Sequence, residues 1–387
     1  MQTPNFVLSV TVDGKDLPFE TLPLQRLVLT ATKYQYIPVG EIIIGDPANL
    51  LLTTITLTDG LPVEVTVGKT VSTQKTYKFR VFKIHRVQGV TGNAYRIVLY
   101  SDLPLFWRGT ALQPISATSS DAIKQIASLC SMKSYVDPTN DQMVWLPMKR
   151  TYSKWAQEIA SAAYYNDKSG FALGVRFDGS LIFRNVTALQ FSSAVPHFEG
   201  GFAAGEESQG KIPLLSYKRV VISGFNNMQG GYHGSTQSQT VVDSTLTTIF
   251  GEVSKVRATQ FLHMATDVKS TLSSNQYMNQ TMIDCGNVHD HYAQAQYQNM
   301  RVNQLFSSRF DVVTNIQTKY DLFDRVGVKV YGIAVDGSPP KVDKDISGYY
   351  HIVGKIIYID MSGIYAEKYM LLTDGHNQDP GKTRSDV

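Results

Sequence analysis

The chain has 387 residues, 43% of them hydrophobic and 18% charged, and a formal net charge of +3. A chain of this length can build about two to four domains with real cores, and near-neutral charge without a Lys or Arg run excludes a dedicated nucleic-acid binder. No apolar run approaches the roughly 20 residues that cross a bilayer, the first residues lack the regions of a signal peptide, and two cysteines, Cys130 and Cys285, point away from a disulfide framework and toward a reducing compartment.

Residues 6–102 read as strands and turns. Phe6, Leu8, Val10 and Val12 alternate, and Asp13-Gly14 marks a hairpin turn. Leu27 and Leu29 alternate with polar neighbours, and Glu41 to Ile44 is a strand stopped by Gly45-Asp46-Pro47. Ile55, Leu57, Asp59-Gly60, Val63, Val65 and Val67 predict a further hairpin. This is antiparallel β with one buried face, most simply a barrel or sandwich.

The pattern changes near Pro114. Ser119 or Ser120 is expected to cap a helix carrying Ile123, Ile126, Ala127 and Cys130 on one face. A second helix starts near Thr151 or Ser153 and places Trp155, Ile159, Ala162 and Ala163 together. Phe171, Leu173 and Val175 then alternate, and Asp178-Gly179 closes a hairpin. Residues 200–209 read as a loop, 217–223 as a strand and 224–239 as a mobile loop. Residues 287–309 fit a helix, and strand character returns at Phe310. The polar tail 376–387 is expected to be disordered.

The β-pattern occurs twice. The stretch Lys78 to Asp102 aligns without a gap on Tyr350 to Asp374 at an offset of 272, so that Val81 meets Val353, Lys83 meets Lys355, Ile84 meets Ile356, Leu99 meets Leu371 and Asp102 meets Asp374. The fold class that follows is mainly β with an α+β insertion: two tube-like antiparallel β-barrel modules and a peripheral α+β domain. The first barrel takes residues 1–111, and the α+β domain takes 112–206 and 241–306. The second barrel takes 207–240 and 307–375.

Catalytic motifs weigh little against structural readings. His289-Asp290-His291 could offer two imidazoles to zinc, but residues two apart on a helix point away from each other. Glu206-Glu207 and the pair Asp343 and Asp345 could serve glycoside hydrolysis, but they lie in polar loops where solvated carboxylates are usual. No nucleophile elbow, Walker loop or dinucleotide fingerprint occurs. Gly230-Gly231-Tyr232-His233-Gly234 reads as a loop; Trp107, Trp145 and Trp155 read as packing groups, and so do Tyr349-Tyr350, despite a conceivable base-stacking role. No catalytic, cofactor or metal residue is assigned.

Three features together resemble the baseplate hub proteins of contractile-tailed bacteriophages and the hub part of VgrG-type spikes of type VI secretion. They are the paired β-modules, the central unit from Ser120-Asp121-Ala122-Ile123 through Trp145-Leu146-Pro147 to Phe177-Asp178-Gly179, and the closing run Asp345-Ile346-Ser347-Gly348-Tyr349-Tyr350-His351. The resemblance implies a non-enzymatic virion protein: a homotrimer whose barrels form a pseudo-six-fold ring with a pore for DNA. It implies a hexameric tail tube protein on one side and a separate trimeric central spike protein on the other. Other baseplate proteins would lie around the ring, and the tape measure protein in its lumen. The alternatives are a receptor- or carbohydrate-binding β-protein of a phage tail and a tail-associated peptidoglycan hydrolase.

Overall fold

The computed structural model describes residues 7–47, 49–53, 55–68, 73–89, 92–166, 169–186, 197–200, 211–221, 233–239, 246–249, 278–284, 308–332, 341–343, 346–360 and 363–373. The N-terminal module contains β1 (Val7–Val12), β2 (Lys15–Asp16), β3 (Leu24–Thr32), β4 (Val39–Asp46), α1 (Leu50–Thr53), β5 (Pro62–Gly68), β6 (Lys75–Gly89) and β7 (Gly92–Ser101). Alternation builds it: Val63, Val65 and Val67 are buried, while Glu64 between them is exposed. Asp13 and Gly14 both take positive φ, +51° and +75°, the requirement of the tight hairpin joining β1 to β2. The strand order is β3-β4-β7-β6-β5-β1-β2, and Val10, Leu27, Leu29, Ile42, Val65, Phe79, Ile97 and Leu99 share its core.

Ile55 and Leu57 do not extend the β5 hairpin. They are buried in a turn that follows α1, where Asp46 accepts from the Leu50 and Leu51 amides at 2.7 and 3.0 Å. The carboxylate that ends β4 therefore starts a helical turn, and the chain has no room for another strand before Gly60.

The central unit contains α2 (Pro104–Arg108), β8 (Ile115–Ala117), α3 (Ser119–Leu129), β9 (Ser134–Val136), β10 (Met143–Trp145), α4 (Tyr152–Ala162), β11 (Phe171–Val175) and β12 (Leu181–Asn185). Thr118, rather than Ser119 or Ser120, caps α3, because its hydroxyl stands where it accepts from Asp121 N at 3.3 Å. Thr151 caps α4 in the same way. The buried Asp141 joins the unit, accepting from Ser119 N and Tyr164 N at 2.8 Å each. Both helices place their apolar stripes, including Ile123, Ile126, Trp155 and Ile159, against the β11-β12-β9 sheet.

The remaining strands are β13 (His197–Gly200), β14 (Ile212–Pro213), β15 (Ser216–Val221), β16 (His233–Gln239), β17 (Leu246–Ile249), β18 (Met278–Asp284), β19 (Ser308–Thr314), β20 (Arg325–Val330), β21 (Gly348–Asp360) and β22 (Tyr365–Thr373). β15 pairs with β19, β19 with β22, β22 with β21, β21 with β20, and β20 with β13. Two sequence readings need correction here. β13 lies in this large sheet, parallel to β20, so a boundary at residue 206 does not separate the α+β unit from the second module. The stretch 224–239, read as a loop, ends in β16, which pairs with β17 and β18 in a separate three-stranded sheet. The expected loop 200–209 and helix 287–309 lie almost wholly outside the described residues, as does the tail 376–387.

Candidate assembly surface

The two modules share one plan. The order β3-β4-β7-β6-β5-β1 of the first is repeated as β15-β19-β22-β21-β20-β13 in the second, except that β1 runs antiparallel to β5 whereas β13 runs parallel to β20, so the second module is not antiparallel throughout as expected. Each long hairpin carries a β-bulge, between Val81 and Lys83 in the first and between Ile352 and Gly354 in the second. Matching the bulges corrects the gapless alignment by one residue on the first strand. Val81 corresponds to Ile352, not Val353, and Ile84 to Lys355, whereas Leu99 still corresponds to Leu371. Core membership agrees: Val81 packs in the first core and Ile352 in the second, while Val353 packs in the first. The compensating extra residue sits in the turn. Gly89 and Gly92 enclose two residues, and Asp360 and Ile364, joined by Asp360 N donating to Ile364 O at 3.3 Å, enclose three.

The modules meet edge to edge. β3 pairs with β21 from Thr32↔Gly354 to Arg26↔Asp360. The result is an antiparallel run of eight strands, β15-β19-β22-β21-β3-β4-β7-β6, spanning both modules.

One face of this run covers the cores, and the other carries acid-centred ion clusters at matching positions. In the first module Glu41 binds Arg26 and, at 2.6 Å, Arg96. In the second, Asp311 binds Arg309 through two contacts of 2.6 and 2.8 Å and Lys368 at 3.0 Å. Glu41 and Asp311 stand at equivalent register positions, as do Arg96 and Lys368. Partial burial works against each carboxylate's charge, but the hydrogen bonds from Arg26 and Arg96, and from Arg309 and Lys368, outweigh it and hold both below the usual carboxylate range.

Beneath the joint lies a buried charge network that sequence reading missed. Lys355 and Glu367, 3% and 0% exposed, form a 3.1 Å ion pair. Glu367 also accepts from Tyr365 OH at 2.7 Å, Tyr369 OH at 2.5 Å and Thr318 N at 3.0 Å. Lys355 donates to Tyr320 O at 3.1 Å. Burial, then the adjacent Glu367, pushes both phenols well above their ordinary pKa, so they stay protonated donors. In the first module the corresponding positions are Ile84 and Tyr95, an apolar and a phenolic side chain. Lys355 and Glu367 stood in the sequence repeat, but nothing in the alternation marks them as facing each other.

The segment Gln317–Asp324 ties all three units together. Gln317 Nε2 donates to Val67 O at 3.3 Å, and Lys75 Nζ to Thr318 O at 3.1 Å. Arg176, at the tip of the β11–β12 hairpin, binds Asp324 at 2.6 Å and donates to Leu322 O. Phe177 beside it packs on Tyr77, with ring centroids 5.3 Å apart.

Most residues weighed for chemistry lie outside the described part of the chain. His289, Asp290, His291, Glu206, Glu207, Asp345 and Cys285, with Gly230, Gly231 and Tyr232, lie outside the described residues, whereas Asp343 lies beside Val330, to whose carbonyl its backbone N–H donates. His233 and Gly234 belong to β16. Among the described residues no group of three or more His, Cys, Asp or Glu could hold a metal ion, and no helix is long and apolar enough to cross a membrane. Cys130 is buried, and burial pushes its thiol up to about 11. Trp145 and Trp155 are buried, and Trp107 packs edge-on against Tyr100. Tyr350 is buried against Phe310, and Tyr349 lies under the Arg325 guanidinium.

Solved structures share this arrangement over nearly the whole chain. The 43 kDa tail protein of prophage MuSo2 from Shewanella oneidensis superposes with a TM-score of 0.57 at 10% identity, covering 96% of this chain and 100% of that one. The fold is that of phage tail proteins. A tail protein from Neisseria meningitidis MC58 gives a TM-score of 0.54 at 10% identity, covering 96% and 98%. A chain of the lidded Francisella PdpA-VgrG complex gives 0.50 at 9% identity, with 97% of this chain covering 54% of that one. The resemblance read from the sequence therefore holds at the level of the fold. No family model matches the chain, and no curated protein sequence does.

Proposed function

We propose that this chain is a non-enzymatic structural protein of a phage tail baseplate, a trimeric hub that joins tail tube to central spike. The observation that carries this reading is the edge-to-edge joint of two like modules through β3 and β21. Repeating that joint between copies gives a ring in which three chains present six modules. The ring would present a pseudo-six-fold face to a hexameric tail tube protein and a three-fold face to a trimeric spike. Other baseplate proteins would surround it, and the lumen would pass DNA and hold the tape measure protein. The clustered ions of the eight-strand run suit a wall for transit. Glu41 and Asp311 each hold two bases within the wall, so four of its basic groups are engaged by carboxylates and are weaker phosphate anchors than free ones. Burial of Trp145 and Trp155 speaks against a sugar-stacking platform built on them.

Light scattering after size exclusion tests the reading. The expected mass is three times 43.0 kDa, alone or with a co-expressed spike. A chain that stays monomeric in both conditions would overturn it.

A further inference from the structure

The central unit carries an apolar knob that folding alone does not favour. β8 and β10 pair from Ala117↔Met143 to Ile115↔Trp145, and the ladder is taken up again at Thr110↔Thr151. Between those pairings residues 146–150 face residues 111–114, and Arg150 N donates to Pro147 O at 2.9 Å to close a tight turn. Its two central residues, Met148 and Lys149, both take positive φ, +48° and +56°. Asn, Asp and Gly suit that backbone, and Asp13-Gly14 fills the comparable turn between β1 and β2. Met148 has no side-chain donor or strong acceptor to bond the local backbone, the feature that lets Asn and Asp tolerate it.

The strained turn also exposes apolar surface. Leu146 and Met148 alternate with the buried Trp145 and Pro147 and so point outward, 52% and 71% exposed. Leu112, also 71% exposed, follows the buried Ala111, whose N–H donates to Arg150 O at 2.9 Å, and stands beside them. Singly exposed apolar residues are ordinary. Three gathered on one hydrogen-bonded turn form a contact patch.

The charge around this patch has one sign. Residues 104–118 and 143–158 contain Arg108, Lys149, Arg150 and Lys154 but a single acid, Glu158, which pairs with Arg150. Arg108, Lys149 and Lys154 are exposed. Tyr152 N donates to Gly109 O at 3.1 Å, which sets Arg108 and the first turn of α4, with Lys154, beside the knob.

We propose that this knob docks into an apolar pocket rimmed by Asp and Glu on a different protein. Apolar side chains at the centre and bases at the rim call for the complementary order in the occupant, apolar inside and acidic outside. A protein suits the patch better than a membrane surface does. Strain that fixes side chains in one place serves a shaped pocket and adds nothing against a fluid bilayer. The patch belongs to the central unit, so the proposal goes beyond the ring reading and neither depends on the other.

The test is selection of displayed random short peptides against the full chain, followed by calorimetric titration of those recovered. The expected peptides combine apolar residues with Asp or Glu. Their affinity should fall roughly tenfold or more in Met148→Ser. It should fall roughly two- to fivefold in Lys149→Glu, and similarly on raising the salt. Met148→Asn with Lys149→Gly should raise the urea midpoint of unfolding while abolishing binding, a readout that separates strain from contact. A library that yields no peptide dependent on Met148, or peptides without acidic bias, overturns the proposal. So does a double variant whose urea midpoint does not rise, because the turn is then not strained. Binding of the parent to phosphatidylglycerol vesicles that is lost in Met148→Ser overturns it in favour of a membrane. A lower mass of Met148→Ser in light scattering overturns it in favour of a second copy.

Discussion

Removing the Glu367 carboxylate should be the most damaging single change in the second module. Glu367→Ala leaves the Lys355 ammonium buried without its counter-charge and takes an acceptor from two phenols and from the Thr318 amide. Breaking one partner of a buried pair costs about 3–5 kcal/mol, because the remaining charge cannot recover its water. For a unit of this size that is a fall in Tm of roughly 6–20 °C. Removing both charges should cost less. Lys355→Met with Glu367→Leu fills the space with apolar groups, as Ile84 does at the equivalent site of the first module, and should recover part of the loss, the remainder coming from the Tyr365 and Tyr369 hydroxyls and the Thr318 amide left without their acceptor. Thermal unfolding followed by circular dichroism reads the stability, and amide exchange of β21 and β22 localises the loss. A Glu367→Ala variant within about 1 kcal/mol of the parent, or a double variant less stable than the single one, would show that the network is not the buried, paired charge described.

Other expectations are independent of that pair. His351 is buried, and burial, then the charge of Arg325, lowers its pKa to about 4. Between its ordinary value of 6.5 and about 4 only the unfolded chain takes the proton, so stability falls with pH across that window, by up to about 3 kcal/mol; His351→Leu should flatten that part of a pH-denaturation profile. Glu41 and Asp311, both held below the usual range, contribute stability that is present above the unfolded carboxylate range and lost as pH falls through their folded values. Their partners are largely exposed, so Glu41→Gln or Asp311→Asn should each cost under about 1 kcal/mol in urea unfolding, and less in high salt. Asp46→Ala should cost about 1–3 kcal/mol in the same assay, because a fully buried carboxylate that accepts from two α1 amides is lost. Gly68→Ala should disturb the β5–β6 hairpin, since its Cβ would stand 2.4 Å from Gln74 Cα, a backbone atom that cannot swing aside; lost amide protection in β5 would report it.

Much of the fold was legible because strands announce themselves by alternation and hairpins by Asp-Gly. Val63, Val65 and Val67 show the first, and Asp13-Gly14 and Asp178-Gly179 the second. Helix periods and a capping Thr or Ser likewise located α3 and α4 to within a residue or two. What escaped was set by contacts distant in sequence. Nothing local shows that Asp46 turns Ile55 and Leu57 into a buried turn, or that β13 joins β20 across more than a hundred residues. The one-residue error in the repeat has a physical source: a bulge does not interrupt an apolar pattern, so a gapless comparison passes through it and places the extra residue in the wrong part of the hairpin. The assembly surface was less legible still. An open edge is a property of what is not beside a strand, and only the finished sheet reveals that β15 and the end of β6 have no second neighbour among the described residues.

The repeat also records which parts of a module were free to change. Where the first module has Ile84 and Tyr95, the second has an ammonium and a carboxylate; where the first brings Leu29 up against Gly40, the second has Arg219 beside Phe310. The first place is interior in both modules, and the second is interior in the first module and partly exposed on the end strand β15 in the second. The acid with its cross-strand base, Glu41 with Arg96 and Asp311 with Lys368, persists on the open face in the same register. Interiors usually resist substitution more than surfaces do, because close packing penalises any change in volume. Here both patterns are kept over most of the repeat: the cores still match at Val81 with Ile352 and Leu99 with Leu371, and the outward acid and base are kept beside them.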